Sequence, residues 1–245
     1  MKPLAFFFIA VAAWGQDATF VVAAVKPSAG LRDGSSIRNN PGRFQATNTT
    51  LAKLIQFALP AQAFQLVGGP AWIREARFDI AASTGQSDDD VKSQSERIAR
   101  IRSRVRHLLE DRFQLQLREE QREMPVYALE TEKSGIRMKA AEVLGNVNSN
   151  SGAAGATLNG KGLTMTRLCE VLSSIVERPV NDETGLAGAY DVELKYSQDD
   201  APAETALAFP SIFTALKEQL GLRLTGKKGA AQVWVVVRAE KPGDN

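Results

Sequence analysis

The chain has one cysteine, Cys169, and one histidine, His107, in 245 residues. A single thiol forms no intramolecular disulfide. One imidazole and one thiol cannot make a His/Cys zinc set, and no G-x-S-x-G turn accompanies His107 to complete a Ser-His-Asp triad. Gly68-Gly69 fits neither a Walker phosphate loop nor a dinucleotide-binding G-x-G-x-x-G. Excess charge of one sign is missing too. Thirty basic residues face 28 acidic ones, which gives no electrostatic case for a nucleic-acid partner. Long apolar runs are absent: the Leu4–Ala13 run has about ten residues, where a membrane-spanning helix needs about 20. The sequence therefore assigns no catalytic, cofactor-binding or metal-ligating residue.

The short apolar run has a better reading. Lys2 precedes it, small residues follow, and Ala13 and Gly15 take the −3 and −1 places of a cleavage before Gln16. This is the pattern of a signal peptide over residues 1–15. A buried N-terminal strand or helix is the alternative. Cleavage would remove Lys2 and leave a net charge of +1. Secretion or a periplasmic location is expected, with no transmembrane segment after signal removal. No cysteine follows the run, so a bacterial lipid anchor is not indicated.

Hydrophobic periodicity predicts an α+β chain. ATFVVAAV (18–25) and RFQA (43–46) read as strands. Leu51, Leu54, Ile55 and Ala58 share a helix face, with Asn48 or Thr49 as cap. RFDIAA (77–82) is a strand. A helix from Ser93 or Ser95 carries Ile98, Ile101, Val105, Leu108 and Leu109 on one side. Its arginines, 97, 100, 102, 104 and 106, suggest either an anion-binding patch or, with Glu96, Glu110 and Asp111 nearby, a solvated face. Phe113, Leu115 and Leu117 alternate with glutamines. Glu119–Glu123 reads as a turn and Val126–Leu129 as the return strand of a hairpin. The Gly/Asn/Ala-rich stretch 136–155 reads as a link.

The plan then recurs. Met165, Leu168, Cys169 and Leu172 follow Leu51, Leu54, Ile55 and Ala58 at a distance of 114 residues. Tyr190-Asp191-Val192 follows Phe78-Asp79-Ile80 at 112, and Leu220, Leu222, Leu224, Val233, Trp234 and Val236 follow Phe113, Leu115, Leu117, Val126, Tyr127 and Leu129 at 107. The distance changes only within loops, as a duplicated domain allows. The expected architecture is two lobes, 16–135 and 156–245, each strand-helix-strand-strand then helix-strand-strand, with antiparallel sheets.

Asp79 and Asp191 hold equivalent places. A pair of carboxylates can divide acid and base roles, although on a strand they more simply bond a neighbouring loop. Asp88, Asp89 and Asp90 lack calcium-loop spacing and read as solvated loop. Asp182-Glu183-Thr184-Gly185 resembles an aspartic-protease D-T-G, but Glu183 interrupts it. Cys169, in RLCEVL, reads as a small buried hydrophobe. Trp72, Tyr127, Tyr190 and Trp234 read as packing aromatics.

FVVAAVKPS, FQATNTTLAKLI, GGPAWIREARFDIAA, LLEDRFQLQLREEQREMPVYAL, DETGLAGAYDVEL and SIFTALKEQLGLRLTGKK occur in this order across nearly the whole mature chain. In this the chain resembles a large paralogous family of secreted proteins of unknown function from soil acidobacteria. The resemblance implies a domain also found attached to membrane metallopeptidases of the BlaR sensor type. It carries no established site residues, and the HExxH of those peptidases is absent here. ALKEQLGLRL followed by VWVVV is similar, more weakly, to the short N-terminal domain of secretins and TonB-dependent receptors, which implies a periplasmic interaction module. The expectation is an uncharacterised extracytoplasmic protein of the bacterial envelope. It binds an envelope protein or peptide without catalysis, through an edge strand or the groove between lobes. A small-ligand sensor and an envelope hydrolase with an unfamiliar site are the alternatives. No cofactor is expected.

Overall fold

The computed structural model describes residues 19–30, 34–40, 42–85, 93–145, 147–152, 155–197 and 209–243. The expected signal peptide and Asp88–Asp90 lie outside them. The fold is α+β, with three four-stranded sheets. The chain divides into two compact units. The first comprises Met1–Ala61, Gly68–Arg118 and Val235–Asn245, and the second comprises Gln62–Val67 and Glu119–Trp234.

In the first unit, β1 (Val22–Pro27), β2 (Ser36–Asn40), β3 (Arg43–Thr50) and β5 (Arg77–Ser83) form an antiparallel sheet in the order β1-β5-β3-β2. Alternation decides its faces. Phe44, Ala46, Phe78, Ile80 and Ala82 are buried on one side, while Gln45 and Ala81 on the other are exposed. The helices α1 (Leu51–Ala58), α2 (Trp72–Glu75) and α3 (Gln94–Arg112) add Leu51, Leu54, Ile55, Ile73, Val105 and Leu109 to the core. Thr50, rather than Asn48 or Thr49, caps α1: its hydroxyl accepts the Lys53 N–H. Such a cap is worth about 1 kcal/mol. The arginine-rich side of α3 is not wholly solvated, since Arg104 is 3% exposed.

The second unit repeats the sheet. β7 (Lys139–Ala141), β8 (Val147–Gly152), β9 (Gly155–Thr164) and β11 (Ala189–Tyr196) lie antiparallel in the order β7-β11-β9-β8. Its core holds Leu158, Leu163, Leu194 and Tyr196 from the strands. Leu168, Cys169 and Leu172 come from α4 (Met165–Ile175), and Ile212 and Ala215 from α5 (Ile212–Ala215). A π-helical turn, Leu216–Leu220, extends α5 and ends at Gly221 with φ 67°.

Three expectations are corrected. The stretch 136–155 is not a loose link: it carries β7 and β8 and belongs to the second unit. Its Gly, Asn and Ala residues supply little to a core, but an edge strand needs mainly its backbone. The two hairpins are each one continuous strand, β6 (Gln116–Thr131) and β12 (Leu222–Arg238). They are the central pair of the third sheet, with β4 (Leu66–Gly68) and β10 (Val180–Asp182) flanking them in the order β10-β6-β12-β4. Glu119–Glu123 contains no glycine, asparagine or proline to reverse the chain. In β12, Gly229 serves close approach rather than a turn, since a Cβ there would lie 2.9 Å from the Val126 side chain. Lastly, the unit boundaries fall inside β6 and β12, so 16–135 and 156–245 are not the compact bodies.

Candidate functional site

The two carboxylates that recur in the sequence occupy matching positions. β3 carries a bulge between Ala46 and Thr49, and Asn48 within it is left-handed at φ 52°. Asp79 Oδ1 accepts the Asn48 N–H at 2.7 Å. In the second sheet the irregularity lies between Tyr190 and Val192 on β11, beside left-handed Gly162 (φ 58°) on β9. Asp191 Oδ1 accepts the Gly162 N–H at 3.1 Å. Asn48 and Gly162 each stand two residues before the threonine that caps the next helix, Thr50 or Thr164. Each aspartate thus ties down an amide that the bulge removes from the strand ladder. Thr164 Oγ1 accepts the Arg167 N–H as Thr50 accepts that of Lys53. The pair is therefore not one acid–base site: each carboxylate serves its own sheet.

Removing the Asp79 carboxylate leaves the amide of a nearly buried residue unpaired, since Asn48 is 6% exposed. Asp79→Ala is expected to cost about 1–3 kcal/mol, read as a lower urea midpoint. Asp79→Asn, which keeps an acceptor, should cost less.

Around this shared core the two sheets differ. Asp191 Oδ2 pairs with Lys161 Nζ at 2.8 Å. The Lys161 hydrogen bond, then the Gly162 amide, hold the Asp191 carboxyl below its ordinary value of 3.8. A folded value below the unfolded one means stability gained above the unfolded value and lost as pH falls through the folded one. Lys161→Met should flatten the pH dependence of the unfolding midpoint below pH 3.8, and a profile parallel to the parent's would show that the pair makes no contribution.

In the first sheet the position matching Lys161 is Thr47. There the outer face bears an open cavity of about 790 Å³. Ala24 and Ala81 form part of its floor, and Lys26, Arg38, Gln45 and Asp79 line it. Lys26 and Asp79 are direct partners across β1 and β5. Even so, neither Lys26 nor Arg38 is ion-paired among the described residues, and Asp79 Oδ2 has no hydrogen-bond partner there.

Strand edges are the other exposed feature. Ser28 donates to Arg77 O at 2.8 Å, so the register of β1 turns Ala23, Val25 and Pro27 outward. Pro27 has no N–H, and Arg112 Nη2 reaches the Ala23 carbonyl at 3.4 Å. This edge is blunted against pairing. Lys195 gives its N–H and carbonyl to the Gln219 side chain, away from β9, so its partner Thr157 turns its own peptide groups toward Asn150 on β8. Alternation along β8 leaves the peptide groups of Ser149 and Ser151 facing outward. β8, VNSNSG, has neither proline nor charge. Beside it Val143 and Leu144 are 77% and 71% exposed.

The remaining candidates are structural. His107 is half-buried on α3, lining a cavity of about 100 Å³ with Phe20, Val21, Leu108, Asp111 and Arg112, and its Nδ1 has no hydrogen-bond partner. Among the described residues, the cavity lining includes no serine or cysteine, and Thr19 supplies its one hydroxyl. Cys169 is 5% exposed, and burial pushes its thiol up to about 12. Alkylation by iodoacetamide at neutral pH is therefore expected only after unfolding. Labelling of the native protein at the rate of a free thiol would contradict the packing. Asp182 Oδ1 accepts both the N–H and the hydroxyl of Thr184, and Thr184 Oγ1 in turn accepts the Leu186 N–H, a local turn rather than a protease dyad. The Arg178 guanidinium lies over the Tyr127 ring at 4.8 Å, Phe213 meets the same ring edge-on at 5.5 Å, and Trp72 meets Phe78 edge-on at 6.3 Å. Among the described residues, no group of three His, Cys, Asp or Glu side chains could hold a metal ion. No described helix is long and apolar enough to cross a membrane.

The match that identifies the family covers residues 52–239, from the first turn of α1 to just beyond β12. The chain belongs to DUF3738, a family of proteins of unknown function. The DUF3738 match includes α1, α4, both bulge aspartates and the whole third sheet, but begins after β1, β2 and β3. No curated protein and no solved structure matches the chain.

Proposed function

We propose that this DUF3738 chain is an extracytoplasmic, non-enzymatic interaction module of the bacterial envelope, which binds an extended segment of a partner protein by strand addition at β8. The observation that supports the reading is the contrast between edges. β1 is obstructed by Pro27 and by Arg112 on the Ala23 carbonyl, whereas β8 offers uncapped peptide groups at Ser149 and Ser151. An added strand gains main-chain hydrogen bonds there, and the exposed Val143 and Leu144 supply apolar contact beside it. The leader-like residues 1–15 support the extracytoplasmic placement. The shared sheet order, the matched bulges and the matched aspartates support an origin of the two sheets by duplication.

Ser149→Pro tests the edge, because it deletes an outward N–H that β9 does not use. Mature wild-type and variant protein are immobilised and exposed to envelope extract. One or more partners retained by the wild type should be lost from Ser149→Pro and kept by Asn39→Lys, a change on the β2 edge of the other sheet. Identical retention by all three would overturn the strand-addition reading. A concentration-dependent dimer lost in Ser149→Pro would name a second copy as the strand donor.

A further inference from the structure

Among the described residues, the outer face of the first sheet carries charges of both signs that form no ion pair, over a floor of small side chains. We infer that this cavity is a binding site for a short peptide with free termini, its ammonium at Asp79 and its carboxylate at Arg38. The site is separate from β8.

The comparison between the two sheets carries the inference. Asp79 and Asp191 perform the same task with one oxygen, holding the bulge amide. In the second sheet the other oxygen is taken by Lys161. In the first, Thr47 replaces that lysine, and Asp79 Oδ2 faces a cavity of about 790 Å³. The cation at the far side differs as well. Arg38 is the register partner of Gln45 on β3, and the corresponding partner of Asn159 on β9 is the neutral Asn148. Thus, among the described residues, the second sheet pairs its carboxylate with Lys161 and has a neutral residue at the far position, whereas the first has a carboxylate oxygen and a guanidinium without a partner.

The spacing selects the ligand. Asp79 is on β5 and Arg38 on β2, with β3 between them, about 10 Å across at ~4.8 Å per strand. Arg38 is level with Ala81 through Gln45, two residues or about 7 Å along from Asp79, so the two backbones are about 12 Å apart. An extended chain advances ~3.3–3.6 Å per residue, so three or four residues bridge that distance. Ala24 and Ala81 leave room above the floor, and Gln45 and Ser36 offer hydrogen bonds to peptide groups. Arg38 can grip a carboxylate with two parallel N–H bonds. Lys26, next to Asp79, repels the ligand ammonium in part, which keeps affinity modest.

Trialanine is the probe, titrated into the mature, isotopically labelled protein while amide shifts are followed by NMR. Saturable shifts at residues 24–26, 36–38, 45–48 and 79–81 are expected, with a dissociation constant on the order of 0.1–1 mM. Acetylation of the peptide amine, or amidation of its carboxylate, should each weaken binding at least about tenfold, which is one unit of 1.4 kcal/mol. Thr47→Lys imports the second sheet's internal counter-ion and should abolish binding with the rest of the spectrum intact. Arg38→Gln should remove the preference for a free carboxylate. Lys161→Thr, in the other sheet, should change nothing. Failure of trialanine to shift these amides at about 10 mM, ten times the weakest affinity expected, overturns the inference. So does unchanged binding in Thr47→Lys. Equal binding of acetylated and free peptides would exclude Asp79 as the ammonium site and also overturn it.

Discussion

Phe113→Ala is expected to lower stability by about 3–5 kcal/mol, the usual cost of emptying a fully packed aromatic site. Phe113 has no solvent exposure and meets Phe78 edge-on, with ring centres 5.1 Å apart and planes at 86°. That geometry adds to the area term. Its backbone is committed as well: the N–H bonds Leu109 O at the end of α3, and the carbonyl accepts the Glu240 N–H at 2.7 Å. The backbone bonds survive the substitution, so the loss is one of packing. Urea denaturation followed by far-UV circular dichroism measures it. A midpoint within error of the parent would mean that the first unit's core collapses around the void.

The second large effect is expected at Gly162. Its φ of 58° is unfavourable for a side chain, and a Cβ would run into the Val143 carbonyl and lie 2.9 Å from Gly145 N. Backbone cannot rotate away as a side chain can. Gly162→Ala should cost roughly 2–4 kcal/mol, combining a strained conformation with overpacking. It should also loosen the Gly145–Gly162 bond that precedes β8, raising amide exchange from Gly145 to Gly152 before global unfolding. Unchanged exchange there, with full stability, would show that the approach of the two chains is not needed. Asn48 marks the contrast. Its left-handed backbone carries a side chain, whose Nδ2 donates to Gly34 O at 2.8 Å.

The α+β class and most core positions were legible because burial writes a period into the chain. Phe44, Leu51, Leu54, Ile55, Phe78 and Ile80 are all buried, as are Leu158, Leu168, Cys169, Leu172 and Val192. The continuity of β6 and β12 was not legible. Charged residues from Glu119 to Glu123 and glycines in β12 look like interruptions, yet a strand deep in a sheet can cross solvent-facing stretches without turning. β7 and β8 were hidden for a related reason: an edge strand held by its backbone leaves no apolar alternation. The equivalence of Asp79 and Asp191 could be read from their neighbours. Their difference could not, because Thr47 and Lys161 become counterparts only once the bulges set the register. The blunting of β1 was half visible, in Pro27, while Arg112 is remote in sequence.

The order in which the chain is made gives the division into units a further meaning. The second unit is contiguous apart from residues 62–67, but the first needs Val235–Asn245 together with segments that end at Arg118. Val236 is buried, and Glu240 bonds Phe113. The half synthesised first therefore cannot complete its packing until the whole of the second unit has been made and Val235–Asn245 have followed it.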